Sequence, residues 1–331
     1  MNAPSQPPAA GAGPQPGTGA DGAVIGLDLG GTKIAAALFG ADGTVLARYS
    51  RPTPARDGAA AVLDALAEAA AAVDPGRLAS ALGIAAAGVV DPRSGMVTSA
   101  TDSIRGWAGT ALGAGLADRT GYPVACDNDV RATAGPELAA LTSDAPGRGS
   151  LLFAAVGTGV GGAIAVDGRM LHGASGVAGH LGHLASAEAA GLPCTCGATG
   201  HLEVIASGPG IAAHYERLTG TPVDRLETVA ARAARGEAAA VSAITTGATA
   251  AGRVLGGLAN ALGPDRVVVG GGVPRIGPLY GDALAAAFTA ELMPPLRGLV
   301  PEAPRFGADA AVHGAAALTT TLPLHHPGAT R

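Results

Sequence analysis

Two cysteines and two histidines lie close together in a chain that has only three cysteines among its 331 residues. Cys194 and Cys196 are separated by one residue, His183 lies eleven residues before Cys194, and His201 lies five residues after Cys196. Two thiolates and two imidazoles form a complete ligand set for tetrahedral zinc. Because a C-x-C pair is less specific for zinc than a C-x2-C pair, two alternatives stay open here: reduced thiols in a loop and a strained local disulfide.

Two glycine-rich segments have the composition of phosphate-binding turns. They are DLGGTK, at 28–33, and GTGVGG, at 157–162. Paired glycines let backbone N–H groups approach phosphate oxygens, and threonine and lysine add a hydroxyl and a cation. A strand is expected after each segment, which argues against a Walker A loop at the first and a Rossmann turn at the second, while an ordinary tight hairpin stays open. The candidate phosphate-binding residues are Asp28, which would face phosphate or magnesium, and Gly30, Gly31, Thr32, Lys33, Gly157, Thr158 and Gly159.

A polar segment and a glycine run are associated with two further predicted strands. CDNDV, at 126–130, ends a strand and begins a helix, so its acids and amide lie where open α/β sheets bind ligands. We interpret Asp129 as a general base and Asn128 as a hydroxyl-binding amide, with a simple helix cap at Asp129 as the alternative. In VVVGGG, at 267–272, Gly270 and Gly271 would let an adenine or ribose approach the backbone, unless they only end the strand.

The overall composition argues against several classes of partner. The chain is 48% hydrophobic and 14% charged, with a net charge of −5 and a pI near 5.9. That balance argues against a nucleic-acid binder with a basic face, and no apolar run approaches the ~20 residues that span a bilayer. The N-terminal segment lacks the features of a signal peptide. The odd cysteine count does not suggest a disulfide framework and is typical of a reducing cytoplasm.

The elements that position these residues come in two similar blocks. Each block has an apolar strand, a Gly-Thr turn, a second strand, an Asp-Gly turn and a third strand; Thr32 lies ten residues before Asp42, and Thr158 lies nine before Asp167. This repeat indicates a duplicated unit. Two facing lobes of this kind suit a nucleotide held in the cleft between them.

Further elements follow each block. The first block, with strands at 23–29 and 34–39, is followed by a helix at about 58–73 that Asp57 could cap, a strand near 81–87, a helix at about 110–120, the strand of PVACDND, and a helix at about 129–141. The second is followed by helices at 208–218, 228–234 and 237–262, a strand at 266–274, and a last helix near 310–320.

Taken together, these segments resemble the ROK family of bacterial sugar kinases and sugar-responsive repressors, from about Val24 to Leu318. DLGGTK and GTGVGG are similar to the family's two phosphate motifs, and DND is similar to the pair that carries its catalytic base. GASGVAGHLGH, at 173–183, and CTCGATGHLE, at 194–203, are similar to the family signature and its zinc loop. The resemblance implies an α/β fold of the actin/hexokinase-like (ribonuclease H-like) type, duplicated into two lobes with a cleft between them.

The resemblance also implies roles for individual residues. Asp129 would be the catalytic base, and the sugar would be contacted by Asn128, His183 and Glu203. Zinc would be held by His183, Cys194, Cys196 and His201. Asp102 and His180 are further candidates for sugar contacts, at positions where this chain departs from the family pattern.

Three positions depart from that pattern. His201 replaces the family's usual third cysteine, a change that zinc accepts. Asp102 replaces the usual asparagine, and His180 replaces the glutamate of a G-E-x-G-H motif. The histidine at 180 resembles bacterial N-acetylmannosamine kinases, and a hydrogen-bond donor there could meet the carbonyl oxygen of a 2-acetamido group. The alternative is that His180 only packs under the loop or competes for zinc.

We therefore expect a cytoplasmic, ATP-dependent kinase that phosphorylates the 6-hydroxyl of a hexose, with N-acetylmannosamine favoured over glucose and N-acetylglucosamine. The expected cofactors are ATP, Mg²⁺ and structural Zn²⁺, and the chain is expected to form a homodimer with no nucleic-acid or membrane partner. A non-catalytic sugar-binding regulator is the alternative class, and a polyphosphate-using kinase is a lesser one.

The expected organisation has four parts. They are a disordered tail at 1–22, an N-terminal lobe at 23–130 closed by the C-terminal helix at about 310–320, a C-terminal lobe at 131–309 with the zinc loop at 183–201, and a second tail at 321–331.

Overall fold

The computed structural model describes residues 22–143, 149–307 and 309–322. Apart from Gly22, Thr321 and Leu322, both predicted tails lie outside these ranges. The first range holds β1 (Ala23–Leu29), β2 (Lys33–Phe39), β3 (Val45–Pro52), α1 (Ala59–Val73), β4 (Ala79–Ala86), β5 (Val89–Asp91), β6 (Met96–Ser99), α2 (Leu112–Thr120), β7 (Val124–Asn128) and α3 (Asp129–Ser143). The other two hold β8 (Leu151–Val156), β9 (Val160–Val166), β10 (Arg169–Met170), α4 (Glu203–Ala206), α5 (Gly208–Thr219), α6 (Leu226–Ala234), α7 (Ala238–Leu262), β11 (Arg266–Gly270), α8 (Pro278–Glu291), β12 (Pro301–Glu302) and α9 (Ala310–Leu318).

Two five-stranded sheets organise the chain, in the orders β3-β2-β1-β4-β7 and β10-β9-β8-β11-β12. In each sheet the first three strands of that order pair antiparallel, and two more strands are added in parallel. The shared plan confirms the predicted duplication. Because parallel strands end at the same edge of a sheet, the residues that follow β1, β4 and β7 meet along one edge.

Helices cover both sheets because the strands are apolar on their buried faces. In α1, Val62, Leu66 and Val73 recur at helical spacing and pack into the core of the first sheet. Trp107, the only tryptophan, is buried in that core, and its indole N–H donates to the carbonyl of Ala87 at 3.0 Å. A second core joins residues of α4 to α8 to the second sheet. No helix in the described part of the chain is long and apolar enough to cross a lipid bilayer.

The last helix, α9, packs against the first sheet. Val312 and Ala316 share a buried cluster with Val24 of β1 and Phe39 of β2. The helix comes so close to β4 that a Cβ built on Gly83 would overlap the carbonyl oxygen of Ala315. Only glycine permits this approach. The contact supports the proposal that the C-terminal helix closes the N-terminal lobe.

Several local predictions differ from the structure. Asp57 does not cap α1, because Gly58 precedes the helix with φ +92° and no side chain caps it. The strand predicted at 266–274 ends at Gly270, because Gly271 turns the chain with φ +99°. The predicted elements do not include the hairpin of β5 and β6 or the helix α8. In α8 the buried residues Tyr280, Leu284 and Phe288 are separated by an alanine-rich sequence that hides their helical spacing.

Candidate active site

Asp129 is the first residue of α3 and directly follows β7, at the edge of the first sheet. Asn128 caps this helix, since its Oδ1 accepts from the backbone N–H groups of Val130 at 3.0 Å and Arg131 at 3.3 Å. The Asn128 Nδ2 donates to Asp129 Oδ1 at 2.8 Å and to the carbonyl of Gly88 at 2.9 Å. Asp129 Oδ1 also accepts from the Val130 N–H at 2.9 Å. No described residue donates a hydrogen bond to Asp129 Oδ2, so capping does not occupy the whole carboxylate.

Asp28 of β1 lies near enough to Asp129 for the charge of Asp129 to affect it. In the sheet, Asp28 is level with Ala85, and Ala85 is level with Asp127, the second residue before Asp129. Burial and the negative charge of Asp129 raise the pKa of Asp28 to about 6, while Lys33 opposes the shift. Burial raises the pKa of Asp129 to about 6, although its hydrogen bonds favour the charged form. A carboxylate with such a pKa is a stronger proton acceptor than a solvated one and is still mostly ionised at pH 7.

The first glycine-rich turn is a tight hairpin between β1 and β2. The N–H of Gly30 donates to the carbonyl of Lys33 at 3.0 Å, and the hydroxyl of Thr53 donates to the carbonyl of Gly30 at 2.7 Å. Thr32 and Lys33 are exposed, so a ligand can reach their hydroxyl and ammonium groups. Because β2 follows the turn directly, this is not a Walker A loop, as predicted.

The second glycine-rich turn also joins two antiparallel strands, β8 and β9, and is one residue tighter. The N–H of Gly157 donates to the carbonyl of Gly159 at 2.9 Å, and Thr158 is exposed. Glu203, at the start of α4, holds the end of the turn, since its Oε2 accepts from the N–H of Val160 at 2.9 Å. One carboxylate predicted to contact the sugar therefore also fixes the second glycine-rich turn.

The glycine run at 270–272 lies beside this second turn. In the sheet, Gly270 is level with Ala155 of β8, two residues before Gly157. A Cβ built on Gly271 would overlap the carbonyl oxygen of Val156. Gly270 is buried and Gly271 is exposed, so of these two glycines Gly271 alone leaves backbone accessible to a ligand.

The four predicted metal ligands come together. One donor atom from each of His183, Cys194, Cys196 and His201 lies within 4.8 Å of all the others. Cys194 Sγ is 3.7 Å from His183 Nδ1, and Cys196 Sγ is 3.3 Å from His201 Nδ1. Ligands held about 2.0–2.3 Å from a tetrahedral zinc lie about 3.3–3.8 Å apart, so the donor set and these two distances fit zinc. With Nδ1 used on the metal side, His183 keeps Nε2 for another partner.

His180 has a different hydrogen-bonding role from the one expected. Its Nδ1 lies 3.1 Å from the carbonyl oxygen of Val177, which can only accept, so Nδ1 carries the proton. Burial lowers the pKa of His180, and the positive charge of Arg131 adds to the shift. A neutral ring whose Nδ1 proton is already used presents Nε2 as an acceptor. In this state His180 would offer a sugar an acceptor at Nε2, whereas the sequence suggested a donor. The ring also stacks near His183, with centroids 6.4 Å apart and planes 13° apart.

The structure shows a buried ion pair beside Asp129 that the sequence analysis does not predict. Arg131 Nε donates to Asp127 Oδ1 at 2.7 Å, with 0% and 4% of the two side chains exposed. His172 Nε2 donates to Asp127 Oδ2 at 2.8 Å. The signal available in the sequence is the i,i+4 spacing of Asp127 and Arg131 at a helix start. Nothing comparable in the sequence identifies His172.

Of the other predicted site residues, Asp102 has the fewest contacts with the rest of the site. A Cβ built on Gly31 would lie 3.6 Å from Ser103 Cβ, so this segment lies against the first turn. Asp102 itself is exposed, and its side chain forms no hydrogen bond with any residue that the structure describes. The roles assigned to Asp102 and to the other site residues stay predictions.

Comparison with known proteins identifies the family of the chain. The sequence profile of the ROK family matches residues 24–321. An N-acetylmannosamine kinase from Shigella flexneri is 36% identical over 252 residues, which are 76% of this chain and 83% of that protein.

Two solved structures share the fold. A ROK hexokinase from Thermus thermophilus superposes with a TM-score of 0.76 at 35% identity, covering 89% of this chain and 97% of that one. A ROK family glucokinase from Streptomyces griseus, in complex with glucose and AMPPNP, superposes with a TM-score of 0.72 at 31% identity, covering 90% of this chain and 99% of that one. The two-lobe α/β architecture is therefore the actin/hexokinase-like fold, and the chain belongs to the ROK family, together with these two kinases.

Proposed function

We propose that this chain is an ATP-dependent kinase that transfers the γ-phosphoryl group to the 6-hydroxyl of a hexose. The observation that carries the proposal is Asp129: a partly buried carboxylate at a sheet edge, oriented by Asn128, with one oxygen free of partners within the described ranges. Its pKa of about 6 suits a base that works near neutral pH. These features also count against a non-catalytic sugar-binding regulator, which has no need of such a base.

The proposed reaction is an in-line displacement at the γ-phosphorus. As the sugar oxygen O6 bonds to phosphorus, its proton passes to Asp129 and the bond from phosphorus to the bridging oxygen breaks, which releases ADP. Asn128 holds the carboxylate in place, with both hydrogens of its amide donated, to Asp129 and to the Gly88 carbonyl. A sugar hydroxyl would have to displace one of these bonds to contact Asn128. Phosphoryl transfer requires little covalent chemistry from the protein, so orientation and charge stabilisation supply most of the rate.

The two glycine-rich turns would hold the phosphate chain. Thr32, Lys33 and Thr158 are exposed at these turns and can donate to phosphate oxygens. Gly271 leaves backbone accessible for the nucleoside. The carboxylate of Asp28 fits a ligand of Mg²⁺, which prefers oxygen and neutralises phosphate charge when bound with ATP. The Streptomyces griseus relative, crystallised with glucose and AMPPNP, supports ATP and a sugar as the substrates.

The metal centre would have a structural role. His183, Cys194, Cys196 and His201 would hold zinc, which supplies a fixed tetrahedral crosslink for a loop with little secondary structure of its own. His183 would then present Nε2 to the sugar in one orientation. Glu203, two residues after His201, would be fixed by the same crosslink.

For the sugar we favour N-acetylmannosamine, with glucose and N-acetylglucosamine as alternatives. The neutral His180 ring can accept one hydrogen bond through Nε2, which suits the N–H of a 2-acetamido group. A carboxylate at this position would instead accept strong, charge-assisted bonds from hydroxyls. The Shigella flexneri relative supports this preference, and the Streptomyces griseus glucokinase supports glucose.

An ADP-release assay with ATP and each of glucose, mannose, N-acetylglucosamine and N-acetylmannosamine tests the proposal. We expect sugar-dependent ADP formation, fastest with N-acetylmannosamine. ADP formation with another of these sugars only would keep the kinase and change its substrate. Sugar binding without ADP formation would instead establish the regulator.

A further inference from the structure

Arg131 lies at the centre of contacts that join the start of α3 to the loop 172–180, which follows β10 and ends at His180. Its side chain is 0% exposed, although it carries a permanent positive charge. A buried charge is tolerated only where it is paired and its donors are satisfied. The hydrogen-bond acceptors around Arg131 therefore show which segments of the chain it holds together.

The guanidinium connects three segments of the chain. Nε donates to Asp127 at the end of β7, as described above, and Nη2 donates to the carbonyl of Val90 in β5 at 3.1 Å. Nη1 donates to the carbonyls of Gly176 at 3.0 Å and Ala178 at 3.3 Å, both in the loop 172–180. The planar fork of an arginine suits this set of acceptors, and a lysine ammonium cannot reproduce it.

Asp127 provides a second connection to the same loop. One carboxylate oxygen accepts from Arg131 and from the backbone N–H of Asn128 at 2.7 Å, and the other accepts from His172. The loop is thus held at its start by Asp127 and along its length by Arg131. Both residues lie within two positions of Asp129.

We propose that Arg131, with Asp127, is a positioning residue that fixes His180 relative to Asp129. This inference rests on the proposed function, in which Asp129 acts on O6 and His180 contacts the substituent at carbon 2. Arg131 would then set the distance between Asp129 and His180, and this distance must fit the distance between O6 and the substituent at carbon 2 of one sugar. Loss of this spacing should weaken sugar binding and sugar discrimination while leaving ATP binding intact, since the side-chain hydrogen bonds of Arg131 to described residues go to Asp127, Val90, Gly176 and Ala178 and not to either glycine-rich turn.

Arg131→Lys tests the proposal because it keeps a positive charge beside Asp127 and removes the fork. We expect the KM for the sugar to rise tenfold or more, the KM for ATP to change less than twofold, and the preference between sugars to fall at least threefold. Arg266→Lys is the matched control. Arg266 is also buried in an ion pair, with Glu137 at 3.3 Å, but the structure shows no hydrogen bond from it to the described loop 172–180. Arg266→Lys should leave the KM for the sugar and the KM for ATP within twofold of wild type.

Equal effects of Arg131→Lys and Arg266→Lys, or an unchanged sugar KM in folded Arg131→Lys, would overturn the proposal. If Arg131→Lys does not fold, His172→Ala removes one connection at a residue that is 33% exposed, and a twofold to fivefold rise in sugar KM is expected. Hydrogen exchange separates this inference from the proposed function. Arg131→Lys should speed exchange of the amides at 172–180 at least fivefold even if the chain phosphorylates no sugar, and unchanged exchange would count against the connection itself.

Discussion

The side-chain amide of Asn128 donates to the Asp129 carboxylate across 2.8 Å, while its oxygen caps the helix that Asp129 begins. One asparagine therefore fixes both the helix start and the orientation of the candidate base. The carboxylate is held by its neighbour in the chain, so its position does not depend on a distant partner. Because this support is local, a substitution at Asp129 should leave the fold intact.

Asp129→Asn should fold and lose most of its activity, because the amide cannot accept the proton from O6. General-base catalysis contributes about 10²–10⁴ in rate, so kcat should fall by that factor. Steady-state kinetics with the preferred sugar measures it, with Asp118→Asn, at an exposed position in α2, as the control. A variant that keeps more than half of the wild-type kcat would show that Asp129 is not the base.

The pKa of about 6 for Asp129 predicts a pH dependence of both activity and stability. Below pH 6 the base is protonated, so kcat/KM should fall about tenfold for each pH unit. The pKa is raised in the folded state, so the stability this group contributes is present below about pH 4 and is lost as pH rises through 6. Asp129→Asn should accordingly be more stable than wild type at pH 8, by about 1–3 kcal/mol, and equally stable at pH 4. Urea unfolding at the two pH values measures the difference; equal stability at pH 8 would contradict the shift.

Purified protein should contain about one zinc per chain, from one tetrahedral site. Cys194→Ser/Cys196→Ser should lose the metal, unfold at a lower temperature and bind sugar less tightly, because His183 is no longer fixed. Elemental analysis and thermal unfolding measure these changes. Cys126→Ala is the control, since Cys126 is buried in the core of the first sheet and should not affect metal content. Active protein that contains no zinc would refute the assignment.

His180→Glu should shift the ratio of kcat/KM toward glucose over N-acetylmannosamine by tenfold or more, or about 1.4 kcal/mol. The reason is that a carboxylate accepts charge-assisted hydrogen bonds from hydroxyls, which the neutral ring does not match. His214→Glu, on α5, makes the same change elsewhere and should leave the ratio unaltered. A wild-type enzyme that prefers glucose to every N-acetylhexosamine would rule out this role for His180 and leave the kinase proposal intact.

Gly83→Ala should destabilise the protein, because the added methyl group overlaps the backbone of α9. Overpacking of this kind costs about 1–3 kcal/mol or more. Gly257→Ala, in α7, is the control: a Cβ built at this position meets no described atom within 4 Å, and alanine favours a helix by about 1 kcal/mol over glycine. Denaturant unfolding compares the two variants. If Gly83→Ala were as stable as Gly257→Ala, the close packing of the last helix on β4 would be wrong.

The sequence alone determined the features that depend on local chemistry. The strand–turn–strand repeat, the glycine-rich turns and the start of α3 follow from residue type and short spacing, and the structure has them at or near the predicted bounds. The four predicted metal ligands also belong to this group, because all of them lie within nineteen positions, from 183 to 201, and cysteine and histidine are typical metal-binding residues.

Only the tertiary structure decided the features that depend on contacts between distant segments. Asp127, Arg131 and His172 form one network although 45 positions separate Asp127 from His172. The tautomer of His180 depends on the carbonyl of Val177, which residue type does not reveal. The pKa values of Asp28 and Asp129 depend on burial, and that of Asp28 depends also on the charge of Asp129. Burial, the distance between charges and the choice of hydrogen-bond partner are properties of the packed chain. They cannot be determined from residue type alone, because they depend on how the sheets and loops pack together.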